Sequence, residues 1–167
     1  MMDLIVAVDR NWGIGRGGGL LASIPTDMKY FKDRTMGKAV VMGRRTLESM
    51  PGGKGLPGRT NFVLTSNKDF RAERCITVNT EEELFEKLAD FAPDDVFIIG
   101  GAALYDRFYK KCGRLYVTKI DADLGADTFI TNFDDDPDLE IVSESDPVTE
   151  NGLTYRFVIY EKKNHEK

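Results

Sequence analysis

The sequence predicts one three-layer α/β domain, in which helices cover both faces of a central sheet. Three observations lead to this prediction. The chain has 167 residues, close to the size of a single domain. Short apolar runs of strand length alternate with segments that begin with helix-start signals. Hydrophobic residues account for 41% of the chain and charged residues for 31%, which suits a packed core and argues against disorder.

Five apolar runs have the length and composition of strands: residues 4–8, 38–43, 61–65, 95–100 and 114–120. The first is wholly apolar, as in a central strand that is covered on both faces. Near the C-terminus, an Asn151-Gly152 turn signal comes directly before residues 153–161. Together with residues 139–143, this segment predicts an antiparallel pair in an otherwise mixed sheet.

Helix signals fall between the strand candidates. Pro25 suits the first turn of a helix that Gly37 ends. Thr80 and Glu83 form a capping-box pattern for a helix that runs to about residue 90. Two further segments, each bounded by glycine or proline, also predict helices: residues 44–50 and 102–110.

Composition excludes several classes of function. The formal net charge of −5 argues against a dedicated surface for nucleic acid or anionic lipid. The apolar run at residues 4–8 is too short for a secretion signal or a membrane span. Cys75 and Cys112 are isolated, and the only histidine, His165, lies in a charged tail, so neither a zinc site nor a histidine-dependent triad is predicted. We expect a soluble cytosolic protein that uses carboxylates, hydroxyls, arginines or a bound cofactor, and no metal.

A glycine-rich segment follows the first strand. Residues 13–18 match the G-x-G-x-x-G pattern of dinucleotide-binding folds, but no helix start follows until Pro25. The match is therefore interpreted as accidental. Glycine freedom over residues 11–20 favours a mobile lid, and an ordinary surface loop is the alternative.

Two strand-to-helix turns could bind anions. Gly100 and Gly101 lie between a buried strand and a helix of small residues, so free amides there could approach a phosphate, or the turn could simply be tight. Arg44 and Arg45 follow Gly43 at another helix start, where positive charge opposes the helix dipole. A bound polyanion would offset that cost; solvated arginines are the alternative.

Asp27 and Arg59 are the remaining chemical candidates. Asp27 is four residues before Phe31, on the apolar side of its helix, where a carboxylate needs a partner. An aspartate that only serves the helix dipole is the alternative. Arg59, in a Pro-Gly loop, could clamp a carboxylate or could be solvated.

These motifs occur in one order along nearly the whole chain. They comprise residues 4–9, Gly13-Ile14-Gly15, Ile24-Pro25-Thr26-Asp27-Met28, Phe31-Lys32, residues 41–46, residues 56–61, Ile99-Gly100-Gly101 with Tyr105, and residues 115–120. In this combination the chain resembles the dihydrofolate reductase family of bacterial type. The resemblance implies a single domain over residues 1–167, a mixed and mostly parallel eight-stranded sheet, and about four helices. It also implies reduction of dihydrofolate to tetrahydrofolate by hydride transfer from NADPH, in support of one-carbon metabolism.

The resemblance assigns roles on the substrate side. Asp27 would bind the amino-pyrimidine edge of the pterin and promote its protonation, with Thr118 hydrogen-bonded to the carboxylate. Arg59 would clamp the α-carboxylate of the substrate's glutamate. The other substrate-side residues that it implies are Ile5, Val6, Met28, Phe31, Lys32, Met50, Leu56, Ile99 and Tyr105. Burial should raise the pKa of Asp27, while the helix start and Thr118 should lower it.

On the cofactor side, the resemblance implies three groups of residues. Around the 2′-phosphate and its neighbour it places Arg44, Arg45, Thr65 and Ser66. At the pyrophosphate it places Thr46, Gly100, Gly101, Ala102, Ala103 and Leu104. Around the nicotinamide it places Ala7, Ile14 and Leu20, and the further cofactor contacts are Gly15, Gly43, Leu64, Tyr105 and Thr128.

The chain departs from the family pattern in the lid. Leu21-Ala22 stands where the family usually carries a tryptophan, which leaves the details of proton delivery open.

A pyrimidinone reductase of riboflavin synthesis and a non-catalytic nucleotide-binding module are the alternatives to a dihydrofolate reductase. Asp27 and the loop at residues 56–59 favour a folate. A cytoplasmic monomer that binds dihydrofolate and antifolates, with no nucleic-acid or membrane partner, is expected.

Overall fold

The computed structural model describes residues 2–163, so His165 lies outside the described residues. Its main sheet contains β1 (Met2–Val8), β4 (Ala39–Gly43), β5 (Thr60–Leu64), β6 (Cys75–Val78), β7 (Val96–Gly100), β8 (Cys112–Ile120), β10 (Leu139–Glu144), β11 (Val148–Glu150) and β12 (Leu153–Lys162). A smaller sheet contains β2 (Gly13–Arg16), β3 (Gly19–Leu20) and β9 (Thr128–Phe129). The α-helices of the described chain are α1 (Pro25–Thr35), α2 (Arg44–Glu48), α3 (Glu81–Leu88) and α4 (Ala102–Phe108).

The main sheet is mixed and mostly parallel. Eight strands follow the order β10-β12-β8-β1-β7-β4-β5-β6, and β11 extends the edge by pairing with β12. The strands from β8 to β6 pair in parallel, whereas β12 is antiparallel to β8, β10 and β11. The predicted fold class and the predicted antiparallel pair near the C-terminus are confirmed.

The sheet separates two cores, which makes the domain three-layered. Because side chains alternate along a strand, Leu4 and Val6 belong to one core and Ile5 to the other. Helices α3 and α4 pack on the first core through residues such as Leu84 and Phe108. Helix α2 packs on the second through Leu47, and α1 adds half-buried aromatic rings to it. Within residues 2–163, no helix has the length and apolar character needed to cross a membrane.

Local signals predicted most boundaries well. The Thr80 hydroxyl accepts the Glu83 amide at 3.1 Å and the Glu83 carboxylate accepts the Asn79 amide at 2.8 Å, so the capping box is present. Helices α2, α3 and α4 each end less than one turn before the predicted residue. A 3₁₀ turn at Tyr109–Lys111 follows α4. Strand β6 was missed because it is short and half-exposed, without a continuous apolar run.

The glycine-rich segment after β1 forms β2 and β3, and not the opening of a helix. Gly17 and Gly18, both at positive φ, make the turn between these strands, and β2 also pairs with β9. The interpretation of the G-x-G-x-x-G match as accidental is therefore confirmed. These two strands were not predicted, because glycine carries no strand propensity of its own.

Candidate active site

A cleft of about 970 Å³ opens where the carboxyl ends of β1, β4 and β7 meet. The chain leaves β4 directly into α2, on the face of the second core, and leaves the neighbouring β7 into α4, on the face of the first core. Connections that depart to opposite faces leave a crevice between neighbouring strands, which is where α/β sheets bind ligands. The expected site residues that line the cleft are Val6, Ala7, Ile14, Gly15, Leu20, Asp27, Met28, Gly43, Arg44, Arg45, Thr46, Ile99, Gly100, Gly101, Ala102, Ala103, Leu104, Tyr105 and Thr128.

Asp27 is held on the cleft wall by a hydrogen bond from the sheet. The Thr118 hydroxyl, on β8 and 2% exposed, donates to Asp27 Oδ1 at 2.6 Å. Burial raises the pKa of Asp27, and the Thr118 bond lowers it by a smaller amount. Burial therefore outweighs the hydrogen bond, and the net effect is a raised pKa for Asp27. The carboxyl is poised to hold a proton at a higher pH than a solvated aspartate does.

Tyr105 lies beside this carboxyl but has its own partner. Its hydroxyl donates to the Ile5 carbonyl at 2.8 Å, and the ring is buried. Burial raises the pKa of Tyr105, and the negative charge of Asp27 adds to that effect. The phenol therefore stays neutral and serves as a fixed donor to β1.

The Gly100-Gly101 turn is packed against Thr46. A Cβ on Gly100 or Gly101 would lie 3.1 or 3.2 Å from Thr46 Oγ1, and Gly100 has φ of 135°. The peptide between the two glycines is cis. Because neither glycine has a side chain, the backbone is accessible from the cleft. Helix α4 begins at this point without a side-chain cap. A phosphate could approach these amides closely.

The arginines at the start of α2 differ in their contacts. The Arg44 guanidinium pairs with Glu48 at 2.9 Å and lies 5.0 Å from the centroid of the Phe70 ring. Arg45 also lines the cleft, so two cations border one end of it.

Some expected residues lie beyond the cleft wall. On the cofactor side these are Leu64, Thr65 and Ser66, and on the substrate side Ile5, Phe31, Lys32, Met50, Leu56, Arg59 and the hydrogen-bonding Thr118. Phe31, Met50 and Leu56 are half-buried and pack on the same core as Ile5. Lys32 is exposed on α1.

Arg59 is anchored at the far end of α1. Its Nη1 donates to Thr35 Oγ1 at 3.0 Å and its Nε to the Pro57 carbonyl at 3.0 Å. Partial burial lowers the pKa of its guanidinium. Thr35 is eight residues after Asp27, so the two ends of the helix are about 12 Å apart at a rise of 1.5 Å per residue. A ligand that spans from Asp27 to Arg59 must be elongated.

The cleft also includes residues that the sequence did not single out for binding: Gly18, Gly19, Leu21, Ala22, Ile24, Ser49, Ile120 and Asp127. Asp127 accepts the Gly17 amide at 2.9 Å through Oδ2, and its own amide donates to the Gly15 carbonyl at 3.0 Å. It thus joins the β2–β3 turn to the β9 segment. No local signal identifies it, because its partners are distant in the sequence.

A family model described as dihydrofolate reductase matches residues 1–162. The chain belongs to the dihydrofolate reductase family. The dihydrofolate reductase of Bacillus subtilis (strain 168) is 36% identical over 168 residues, with 100% of this chain and 98% of that protein covered. The dihydrofolate reductase of Staphylococcus haemolyticus is 34% identical, with 96% and 95% covered. The family expected from the motifs is therefore confirmed.

Solved structures agree with the fold. The dihydrofolate reductase of Enterococcus faecalis, solved in complex with NADP(H) and RAB-propyl, superposes with a TM-score of 0.87 at 32% identity. The match covers 98% of this chain and 97% of the other.

Proposed function

We propose that this protein reduces 7,8-dihydrofolate to 5,6,7,8-tetrahydrofolate with NADPH, and that Asp27 organises the proton that the reaction needs. The observation that carries the proposal is the Asp27 carboxyl, fixed by Thr118 on the wall of the cleft in a member of the dihydrofolate reductase family. The enzyme is an oxidoreductase, because the family is defined by that reaction. Relatives named dihydrofolate reductase align over almost their full length.

The cleft fits a dinucleotide with a 2′-phosphate. Space is tight at two turns that glycines form: a Cβ at Gly43 would lie 3.1 Å from Leu104, and a Cβ at Gly100 or Gly101 would lie 3.1 or 3.2 Å from Thr46. These turns would receive the pyrophosphate, and Arg44 and Arg45 the 2′-phosphate, with Leu64, Thr65 and Ser66 behind them. When bound, NADPH supplies the hydride, so the chain needs neither a nucleophile nor a metal.

The residues of the chain position the two reacting rings, shield them from water and organise protonation of the pterin. Apolar side chains line the cleft wall, among them Ala7 and Ile99, and would shield the reacting rings from water. Asp27 would accept hydrogen bonds from the amino-pyrimidine edge of the pterin and favour protonation of the neighbouring imine nitrogen. Its raised pKa keeps a proton available at the site to a higher pH than a solvated aspartate would.

The remainder of the substrate would extend along α1. Met28 and Phe31 lie on this helix. The half-buried Met50 and Leu56 pack with Phe31 on the core that contains Ile5. Arg59 at the far end would clamp the glutamate α-carboxylate, which suits a guanidinium fork. Lys32 is exposed nearby and adds positive charge.

We also propose that the enzyme is a single domain that acts as a cytoplasmic monomer on small molecules, without nucleic-acid or membrane partners. Antifolates would occupy the same cleft. The Enterococcus faecalis relative, solved with NADP(H) and RAB-propyl, supports small-molecule binding at an equivalent fold.

The test is NADPH oxidation by the purified protein with dihydrofolate, compared with the pyrimidinone substrate of riboflavin synthesis. We expect turnover with dihydrofolate and none with the pyrimidinone. Turnover with the pyrimidinone alone would refute the assignment. Thermal stabilisation by NADPH without turnover of either compound would instead identify a nucleotide-binding module.

A further inference from the structure

The first turn of α1, which carries Asp27, is held by a carboxylate from a different part of the sheet. The N-cap residue Ile24 offers no side-chain hydrogen bond to the helix. The Met28 amide bonds to the Ile24 carbonyl at 2.9 Å, as the first intrahelical bond. The Thr26 amide, one residue before Asp27, donates to Glu150 Oε1 at 3.3 Å. Glu150 therefore pairs an amide that the helix itself leaves without an acceptor.

Glu150 is itself fixed by the hairpin that contains it. It is the last residue of β11 and lies opposite Leu153 on β12. Its Oε1 also accepts the Tyr155 hydroxyl at 3.2 Å. Tyr155 is fully buried and packs in the same cluster as Ile24, the residue from which α1 starts. One carboxylate oxygen thus connects a rigid phenol to the start of the helix.

Asp27 is consequently held from two sides. Its carboxyl is bonded to Thr118 on β8, and the backbone just before it is bonded to Glu150 on β11. A negative charge at a helix N-terminus is also favourable, because it opposes the positive end of the dipole. If the first turn of α1 moved by a few tenths of an ångström, the 2.6 Å bond between Thr118 and Asp27 would lengthen.

We propose that Glu150 is a positioning residue for the reaction: by accepting the Thr26 amide and the Tyr155 hydroxyl, it fixes the first turn of α1 so that Asp27 meets the substrate. The inference rests on the role given to Asp27 under the proposed function. Glu150 is not among the residues that line the cleft. Its effect is therefore confined to the substrate half of the site, since none of its contacts reaches the phosphate-binding turns.

The experiment compares four variants of the full chain. Glu150→Ala removes the acceptor, and Glu150→Gln removes the charge but keeps an oxygen for both donors. Tyr155→Phe removes one of the two bonds to Glu150. Thr149→Ala is the matched control: Thr149 lies in the same hairpin and its hydroxyl is 2.9 Å from that of Thr154 across it, and within residues 2–163 it has no hydrogen bond to α1. For each variant, kcat and KM for dihydrofolate, the Kd of NADPH and the melting temperature are measured.

We expect Glu150→Ala to lower kcat/KM for dihydrofolate about three- to tenfold, which corresponds to the net contribution of one hydrogen bond. The Kd of NADPH should stay within about twofold, because only the substrate half is displaced. Glu150→Gln should retain most of the activity, and the effects of Tyr155→Phe and Glu150→Ala should be less than additive.

Three outcomes would overturn the proposal. The first is unchanged kinetics in Glu150→Ala. The second is an equal loss in Thr149→Ala with the same fall in melting temperature, which would indicate general loosening of the hairpin. The third is a Gln variant as poor as the Ala variant, which would exclude the hydrogen bond as the cause. Asp27→Asn is assayed alongside: full activity in that variant would refute the role of Asp27 itself, whatever the Glu150 variants show.

Discussion

Replacement of Asp3 by asparagine is expected to remove a loss of stability that the folded chain undergoes as the pH rises from acid to neutral. Asp3 lies at the start of β1, is 5% exposed, and accepts the Arg114 amide through Oδ1 at 3.1 Å. Its Oδ2 is buried and has no hydrogen-bond partner among the described residues. Burial is the main reason that the pKa of Asp3 rises from 3.8 to about 6. An ionised carboxylate at this place is therefore unfavourable.

The pH dependence follows from the direction of this shift. The folded chain binds the Asp3 proton more tightly than the unfolded chain does. The contribution of the group to stability is present below the unfolded pKa, and is lost as the pH rises through the folded pKa. The shift from 3.8 to about 6 corresponds to about 3 kcal/mol, at 1.36 kcal/mol per pKa unit. Asparagine does not titrate, so it avoids this loss.

The asparagine amide carries its own cost. Its nitrogen would occupy the place of the unpartnered Oδ2, at about 1 to 3 kcal/mol, but this cost is the same at every pH. The informative quantity is therefore the change with pH of the difference in unfolding free energy between variant and wild type. We expect that difference to increase by about 2 to 3 kcal/mol in favour of the variant between about pH 4 and pH 8.

Urea or thermal unfolding of both proteins across this pH range measures the effect. The expected change of about 2 to 3 kcal/mol in unfolding free energy corresponds to a difference in melting temperature of about 5 to 10 °C for a domain of this size. Asp90→Asn, which replaces an exposed aspartate, is the control and should leave the pH dependence unchanged. Parallel curves for Asp3→Asn and wild type would refute the argument, because they would mean that Asp3 titrates alike in the folded and unfolded chains.

Three further substitutions test the site. Thr118→Val removes the bond that lowers the pKa of Asp27, so that pKa rises and the pH at which kcat/KM falls should move upward; an unmoved profile would contradict this. Arg44→Ala should weaken NADPH binding about 10- to 100-fold by loss of a charge-assisted bond, and NADH binding little, so an unchanged ratio would exclude Arg44 from the 2′-phosphate site. Arg59→Ala should raise KM for dihydrofolate about tenfold or more at similar kcat. An unaltered KM would place the glutamate elsewhere.

Sequence signals predicted those parts of the fold that depend on neighbours in the chain. The Thr80 capping box, the proline at the start of α1 and the Asn151-Gly152 hairpin each act over a few residues, and each is present. Strand β2 pairs locally with β3, but its pairing with β9 joins distant parts of the chain, and the glycines of β2 and β3 give no strand signal.

The residues of the candidate site also divide into those that local motifs predict and those that depend on contacts distant in the sequence. Motifs placed Asp27, Arg44 and the Gly100-Gly101 turn, and the structure brings all of them to one cleft. Asp127 and Glu150 could not be found in this way, because each acts through amides of a distant loop or helix. The direction of the Asp27 pKa shift also required the fold, since it depends on how far burial outweighs the bond from Thr118.

The central claim is that Asp27 organises proton delivery during dihydrofolate reduction. Its most direct test is dihydrofolate-dependent oxidation of NADPH by wild type and Asp27→Asn, followed across pH. We predict a large loss of kcat/KM in the variant that is partly recovered at low pH, where solvent and substrate supply the proton, while NADPH binding stays unchanged. Equal rates in the two proteins at every pH would contradict it and remove Asp27 from the mechanism.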